Sequence, residues 1–468
     1  MKPLGSDIDS QPTLMDARPA PRQVRQRTSH RRLVRDISGV QAPRQLSRRA
    51  QLDAIVVPHA RPVRHLDAAA QLAADLECLL VALCSRQANV DDAAQRLARV
   101  PGCRALVVDI PAGYRHEYLQ FETSEYEGFR RSSADRDSDL SVKRNLGLLI
   151  ARLLGWQRIM FLDDDISRLD MADVAKLAGH LERHQIAGFV PREFPDNSVV
   201  CHANRWAGHP QDIFVSGSAL GVNCRDAVPP FFPDIYNEDW FFFSERAADR
   251  SLLQVGEAYQ LEYDPFEDPG RATREEFGDL LAEGLFALLG DGYVLAAATK
   301  GYWEDFSDAR RELLTVIEKR LCDLGDRNAY RILTSIAAAK DQLELVSPEL
   351  CVAFLDAWQQ DGRTWVSRVA KLPRMSNARD ALDLLELKKW RATEFGNPDL
   401  GATPLPRELR GSESGRRSGA VSDGVREAPP AAASPADRPK VDLETTIGPS
   451  AGLVETLYGV RKRSTTRA

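Results

Sequence analysis

Three adjacent carboxylates, Asp163, Asp164 and Asp165, follow directly on the apolar run Ile159-Met160-Phe161-Leu162. Such a run reads as a buried strand, and in an open α/β sheet ligands bind beyond the carboxyl ends of the strands. Carboxylates held together repel one another and lose solvation, so the cluster implies a cation. An all-oxygen ligand set suits Mg²⁺ or Mn²⁺, and such an ion in turn implies a phosphate-bearing ligand. The same residues also have a structural use, because Asp165 or Ser167 could cap a helix over Leu169 to Leu181. One carboxylate suffices for that. A second acidic pair lies downstream in Tyr236-Asn237-Glu238-Asp239-Trp240. There the structural reading is a helix start capped by Asn237, with acidic residues in the first turn and Trp240 to Phe243 packing inward.

The elements that must position these groups follow from periodicity. Asp53 to Pro58, Cys78 to Cys84 and Ala105 to Ile110 read as strands, alternating with helices over Leu66 to Asp75 and Asp91 to Val100. This βαβ alternation predicts a largely parallel sheet with right-handed crossovers. Leu140 to Leu154 places Leu146, Leu149, Ile150, Leu153 and Leu154 on one helical face, with Asp139 or Ser141 as cap and Gly155 as stop. The aspartate-ending strand comes next, and Ile186 to Val190 and Ile213 to Val222 read as further strands. The second of these carries Ser216-Gly217-Ser218, whose small side chains let a ligand approach the backbone. Helical spacing then takes over in segments 273 to 289, 307 to 324, 327 to 345, 348 to 370 and 377 to 394.

The domain organisation expected from this is a disordered basic tail at 1–50, an α/β domain at 51–272, an appended helical domain at 273–397 and a disordered tail at 398–468. A short helix is expected within the last stretch, at Leu453 to Val460. With 468 residues and 43% hydrophobic content the chain can fill a sizeable core. Its 62 basic against 68 acidic residues argue against a general nucleic-acid binder, though not against a local anion pocket. Seven scattered cysteines, none in CxxC spacing, favour reduced thiols over disulfides or zinc and a cytoplasmic location. No apolar run approaches the roughly 20 residues of a membrane span, which leaves peripheral membrane contact open.

Together, Pro58-His59-Ala60-Arg61-Pro62, the helix opening Lys143-Arg144-Asn145, the aspartate triplet and Tyr236-Asn237-Glu238-Asp239-Trp240 resemble a GT-A glycosyltransferase, in motif style a family-2-like enzyme. The resemblance covers roughly residues 52 to 270 and implies a Rossmann-like fold, a nucleotide-diphosphate-sugar donor, a hydroxyl acceptor and hexosyltransferase-like chemistry. Asp163 and Asp165 match the ends of the family's Asp-any-Asp (DXD) motif, which implies that Asp163 faces ribose or metal, that Asp165 binds the metal, and that Asp164 is the middle position. Glu238-Asp239 resembles the family's Glu-Asp pair, which implies a general base, assigned here to Asp239. Lys143 and Arg144, near the positive end of their helix, would attract the diphosphate, unless they form a solvated basic turn. Arg61 would stack on a base or hold phosphate, with Pro58 and Ala60 shaping its pocket. Ser216, Gly217 and Trp240 are the expected acceptor contacts.

The chain departs from the pattern in lacking a late histidine for the metal, since His202 and His209 both precede the Glu-Asp pair. Asp264, Glu267 or Asp268 could substitute. Trp303, Trp358, Trp365 and Trp390 are expected in the core rather than as sugar platforms. Two alternatives remain. A haloacid-dehalogenase-type phosphohydrolase would use Asp163 as nucleophile, and a non-catalytic protein would bind nucleotide sugars on the same fold. An EF-hand is excluded, because Arg168 and Val174 stand where that loop needs glycine and glutamate.

Overall fold

The structure, a computed structural model, describes residues 30–41, 51–193, 198–209, 214–324 and 327–393. The chain divides into two units, Met1–Gly401 and Ala402–Ala468, and the second lies wholly outside the described residues. So do the tail expected from 398 and the helix expected at Leu453 to Val460.

In chain order the strands are β1 (Val34–Asp36), β2 (Ala54–His59), β3 (Leu79–Cys84), β4 (Arg104–Asp109), β5 (Arg158–Leu162), β6 (Ile166–Leu169), β7 (Ile186–Glu193), β8 (Ser216–Asn223), β9 (Leu252–Gln260) and β10 (Trp390–Thr393). They form one mixed sheet in the order β1-β9-β7-β8-β5-β2-β3-β4-β10, with β6 paired to β9. The pairings among β2, β3, β4 and β5 are parallel, as are β7 with β9 and β1 with β9; β6, β8 and β10 run antiparallel to their neighbours. The fold class is therefore mixed α/β, as the alternation predicts.

Strands β2 and β5 are buried along their whole length, which explains the apolar runs Ala54–Pro58 and Ile159–Leu162. From β2 the chain steps outward through β3 to β4, then returns to lay β5 on the other side of β2. This reversal makes the β2/β5 boundary a topological switch point, the position beyond the strand ends at which open α/β sheets bind their ligands. Helix Leu140–Leu154 packs across it. Gly147 permits the approach, since a Cβ there would lie 2.9 Å from both Phe161 and Val56. Gly155, at φ 75°, ends the helix in the left-handed conformation that glycine adopts without strain.

Three expectations need correction. Within the supposed N-terminal tail, β1 pairs with β9, because the flanking Leu33 and Ile37 are buried and anchor it. The helix expected over 377 to 394 stops at Leu384; Glu386 turns the backbone at φ 55° and Trp390–Thr393 joins the sheet edge beside β4. Neither Asp165 nor Ser167 caps the helix that follows β6. Asp170 does so, accepting from the Ala172 N–H at 2.7 Å.

The long helices are Gly270–Gly290, Lys300–Leu324, Arg327–Leu343 and Pro348–Ala370. They are tied to the α/β portion by the Trp365 Nε1 donation to the Pro229 carbonyl at 2.8 Å and by Asp361, which accepts from the Glu122 and Thr123 amides. Trp303, Trp358 and Trp365 are buried, and Trp390 is half-buried. No helix among the described residues is long and apolar enough to cross a membrane.

Candidate active site

The aspartate triplet emerges from β5 at the switch point, and each carboxylate turns to a different partner. Asp164 is 7% exposed and faces the end of β2. Its Oδ2 accepts from His59 Nδ1 at 2.8 Å and from the Ala60 amide at 3.1 Å, while its Oδ1 accepts from Arg61 Nη1 at 2.6 Å. Burial works against ionisation, yet the His59 hydrogen bond, the Arg61 charge and the Ala60 amide together bring the Asp164 carboxyl down to about 2. The same Arg61 Nη1 lies 3.0 Å from Asp165 Oδ2, which also accepts from Gln260 Nε2 at 3.1 Å.

Asp163, with 20% of its side chain exposed, turns to Arg144 instead. Arg144 Nη2 donates to both of its oxygens at 2.9 Å, and Arg144 Nη1 pairs with Glu238 Oε1. One guanidinium, 2% exposed, thus joins the end of β5 to the start of helix Glu238–Ala248. Planar, forked donors make arginine the residue suited to bridge two carboxylates. Burial pushes the Asp163 carboxyl up, the charges of Asp165 and Asp164 add to that, and Arg144 opposes it.

Next to Glu238, Asp239 is 8% exposed. Its Oδ2 accepts from the Gly217 amide at 2.5 Å and its Oδ1 from the Trp240 amide at 2.9 Å. Burial, with the charge of Glu238 beside it, pushes the Asp239 carboxyl up to about 7. Glycine is required at 217, because a Cβ would come within 2.8 Å of both Arg144 Nη1 and the Asp239 Cβ. Asn237 precedes the helix at φ 61°, but its side chain donates to Asp279 Oδ1 at 3.0 Å instead of capping.

The remaining expected residues divide. Lys143 is 1% exposed, with its amine on the His59 carbonyl and Asp139, both at 3.1 Å, so neither it nor Arg144 forms a solvated basic turn. Pro58 lies inside β2, opposite Leu83 of β3. Ser216 Oγ accepts from the Ser218 amide at 3.1 Å. Trp240 packs in tilted contact with Phe286 and Phe214 in the core. Of the substitutes for a third ligand, Asp264 pairs with Arg331 and Asp268 with Arg274.

Two site residues went unrecognised in the sequence. His59 stands inside the strand-end motif and its spacing offers no role for it, whereas Gln260 lies on β9, a strand whose pattern is broken by polar residues. Among the described residues, Cys201, Asp279 and Glu283 also bring ligand atoms within 4.8 Å of one another. Arg310 already supplies the positive charge there, contacting Asp279 at 2.6 Å, Glu283 at 2.8 Å and Glu276 through two further bonds. The cluster is thus an internal ion network.

No protein-family model matches the chain, and no curated protein matches it. Among solved structures it is similar to the mannosyltransferase PcManGT from Pyrobaculum calidifontis in complex with GDP-Man and Mn2+, at 12% identity over 75% of this chain and 88% of that chain, with a TM-score of 0.29. At that level of similarity the activity must be argued from the residues.

Proposed function

We propose that this chain is a glycosyltransferase of GT-A type, moving a sugar from a nucleotide-diphosphate-sugar donor to an acceptor hydroxyl. The observation that carries the reading is the Arg144 guanidinium, which binds Asp163 and Glu238 at once and so unites two distant acidic motifs at the β2/β5 switch point. A nucleotide site needs positive charge at its phosphates, and Arg61, whose side chain is 44% exposed at the mouth of β2, supplies it.

Asp239 acts as general base. Its two amide donors fix the carboxyl, and its raised pKa matches it to withdrawing a proton from the acceptor hydroxyl as that oxygen attacks the anomeric carbon. Arg144 positions that base through Glu238 and holds Asp163 in place. The base works only when ionised, so kcat/KM falls about tenfold per pH unit below about 7 and levels off above it. A pH profile of nucleoside diphosphate release measures this, and a rate flat down to pH 5 would remove Asp239 from the role.

The oxygen donor set fits a divalent ion, with Asp165 as the first ligand, since the guanidinium it now shares with Asp164 belongs to a long, part-exposed side chain that can turn toward phosphate. Asp163 is the second candidate, although Arg144 occupies both of its oxygens. When bound, Mn²⁺ or Mg²⁺ neutralises charge growing on the diphosphate as the sugar departs. Asp165→Ala should therefore weaken Mn²⁺-dependent affinity for UDP or GDP at least about tenfold by calorimetry; equal affinity with and without the carboxylate would refute the assignment. A dehalogenase-type mechanism is disfavoured, because it needs an aspartate free to reach phosphorus and Arg144 donates to each oxygen of Asp163.

A further inference from the structure

We propose that a pocket in the loop after β9, lined by Trp206, Tyr263, Phe266, Arg331, Glu262 and Asp264, binds a neutral saccharide, the acceptor of the reaction. This deepens the transferase reading and rests on it. The pocket's volume of about 520 Å³ lies within the range of roughly 300 to 1,000 Å³ usual for small-molecule sites. The loop that lines it leaves β9 directly after Leu261, whose amide donates to the Asp165 carbonyl at 2.9 Å, so the chain itself ties the pocket to the aspartate triplet.

The lining is prepared for a ring with one apolar face and a polar rim. Trp206 ends helix Val199–Trp206 with 44% of its surface exposed, whereas Trp303 and Trp365 are fully buried. An indole left in water at a pocket wall offers a flat face to the C–H side of a sugar. Tyr263 is held as a second wall: its hydroxyl lies 3.0 Å from His202 Nε2 and 3.3 Å from Arg271 Nη2, and the Arg271 guanidinium sits 4.6 Å from its ring centre. Arg331 Nη2 is fixed by Asp264 Oδ2 at 2.8 Å and the Phe266 carbonyl at 3.1 Å. That carboxylate and guanidinium pair presents acceptors and donors side by side, as vicinal hydroxyls require.

Charge decides which substrate belongs here. Glu262 and Asp264 outnumber Arg331, so the pocket repels a diphosphate, whereas Arg61 marks the place of the anionic donor at the mouth of β2.

Saturation-transfer NMR on the full chain, with methyl α-mannoside, methyl β-glucoside, methyl β-galactoside and maltose as probes and glucose 1-phosphate as the anionic control, tests the assignment. At least one neutral sugar should bind saturably and outcompete the control. Trp206→Ala should weaken it at least tenfold and leave calorimetric binding of UDP and GDP with Mn²⁺ unchanged. Arg331→Gln, at a side chain 49% exposed, provides the same comparison should the tryptophan variant not fold. No sugar bound by a protein that does bind nucleotide, or equal sugar affinity in both variants, overturns the pocket assignment alone. Failure of the unmodified protein to bind nucleotide brings down the transferase reading beneath it.

Discussion

Asp239→Asn is expected to lower turnover by about a thousandfold, the middle of the range for removing a general base, and to leave Mn²⁺-dependent nucleotide affinity intact. The substitution is nearly isosteric, and an amide oxygen still accepts from the Gly217 N–H. What is lost is the ability to take a proton, together with the second acceptor that faces the Trp240 amide. Turnover is read as nucleoside diphosphate released from donor in the presence of acceptor, and affinity by calorimetry on the same preparation. Undiminished release would end the case for Asp239. Normal nucleotide binding by a wild-type protein that never turns over would instead favour the non-catalytic alternative.

Arg144→Met should be the most damaging single change to the fold among the site residues. It leaves Asp163 and Glu238 facing one another without the cation that both use, and breaking a buried ion pair from one side costs about 3–5 kcal/mol. Thermal and urea unfolding should show a fall of several degrees in Tm and a lower urea midpoint at pH 7.5. Arg144→Lys should recover little, because one ammonium cannot span the separation that two guanidinium nitrogens bridge. A Met variant as stable as the parent would mean that the bridge contributes nothing to folding.

The two acidic motifs were readable because each is local: a few residues in a row, placed by the strand or helix adjoining them. Their meeting was not. Arg144 reads in sequence as a diphosphate contact or a solvated charge, and only the close approach allowed by Gly147 turns it into a buried link between β5 and the Glu238 helix. Strands β2 to β5 announced themselves through apolar runs that pack on both faces. Strand β9 did not, since Gln254, Gly256 and Glu257 interrupt it; Gln254 is buried all the same, and Gly256 makes room for Asp173. The exposed Trp206 carried no signal either, because a short helix gives no hint of which face stays wet.

Strand β10 carries a consequence for how the chain reaches its native state. Residues 390–393 close the outer side of β4, whose own segment ends at Asp109, so nearly three hundred residues of chain separate the two partners. During synthesis that flank therefore stays open, an adhesive border able to recruit another polypeptide, until residues 390–393 emerge to seal it. Completion of the sheet is deferred to its last strand in chain order, which makes β10 a late latch on assembly rather than a nucleus for it.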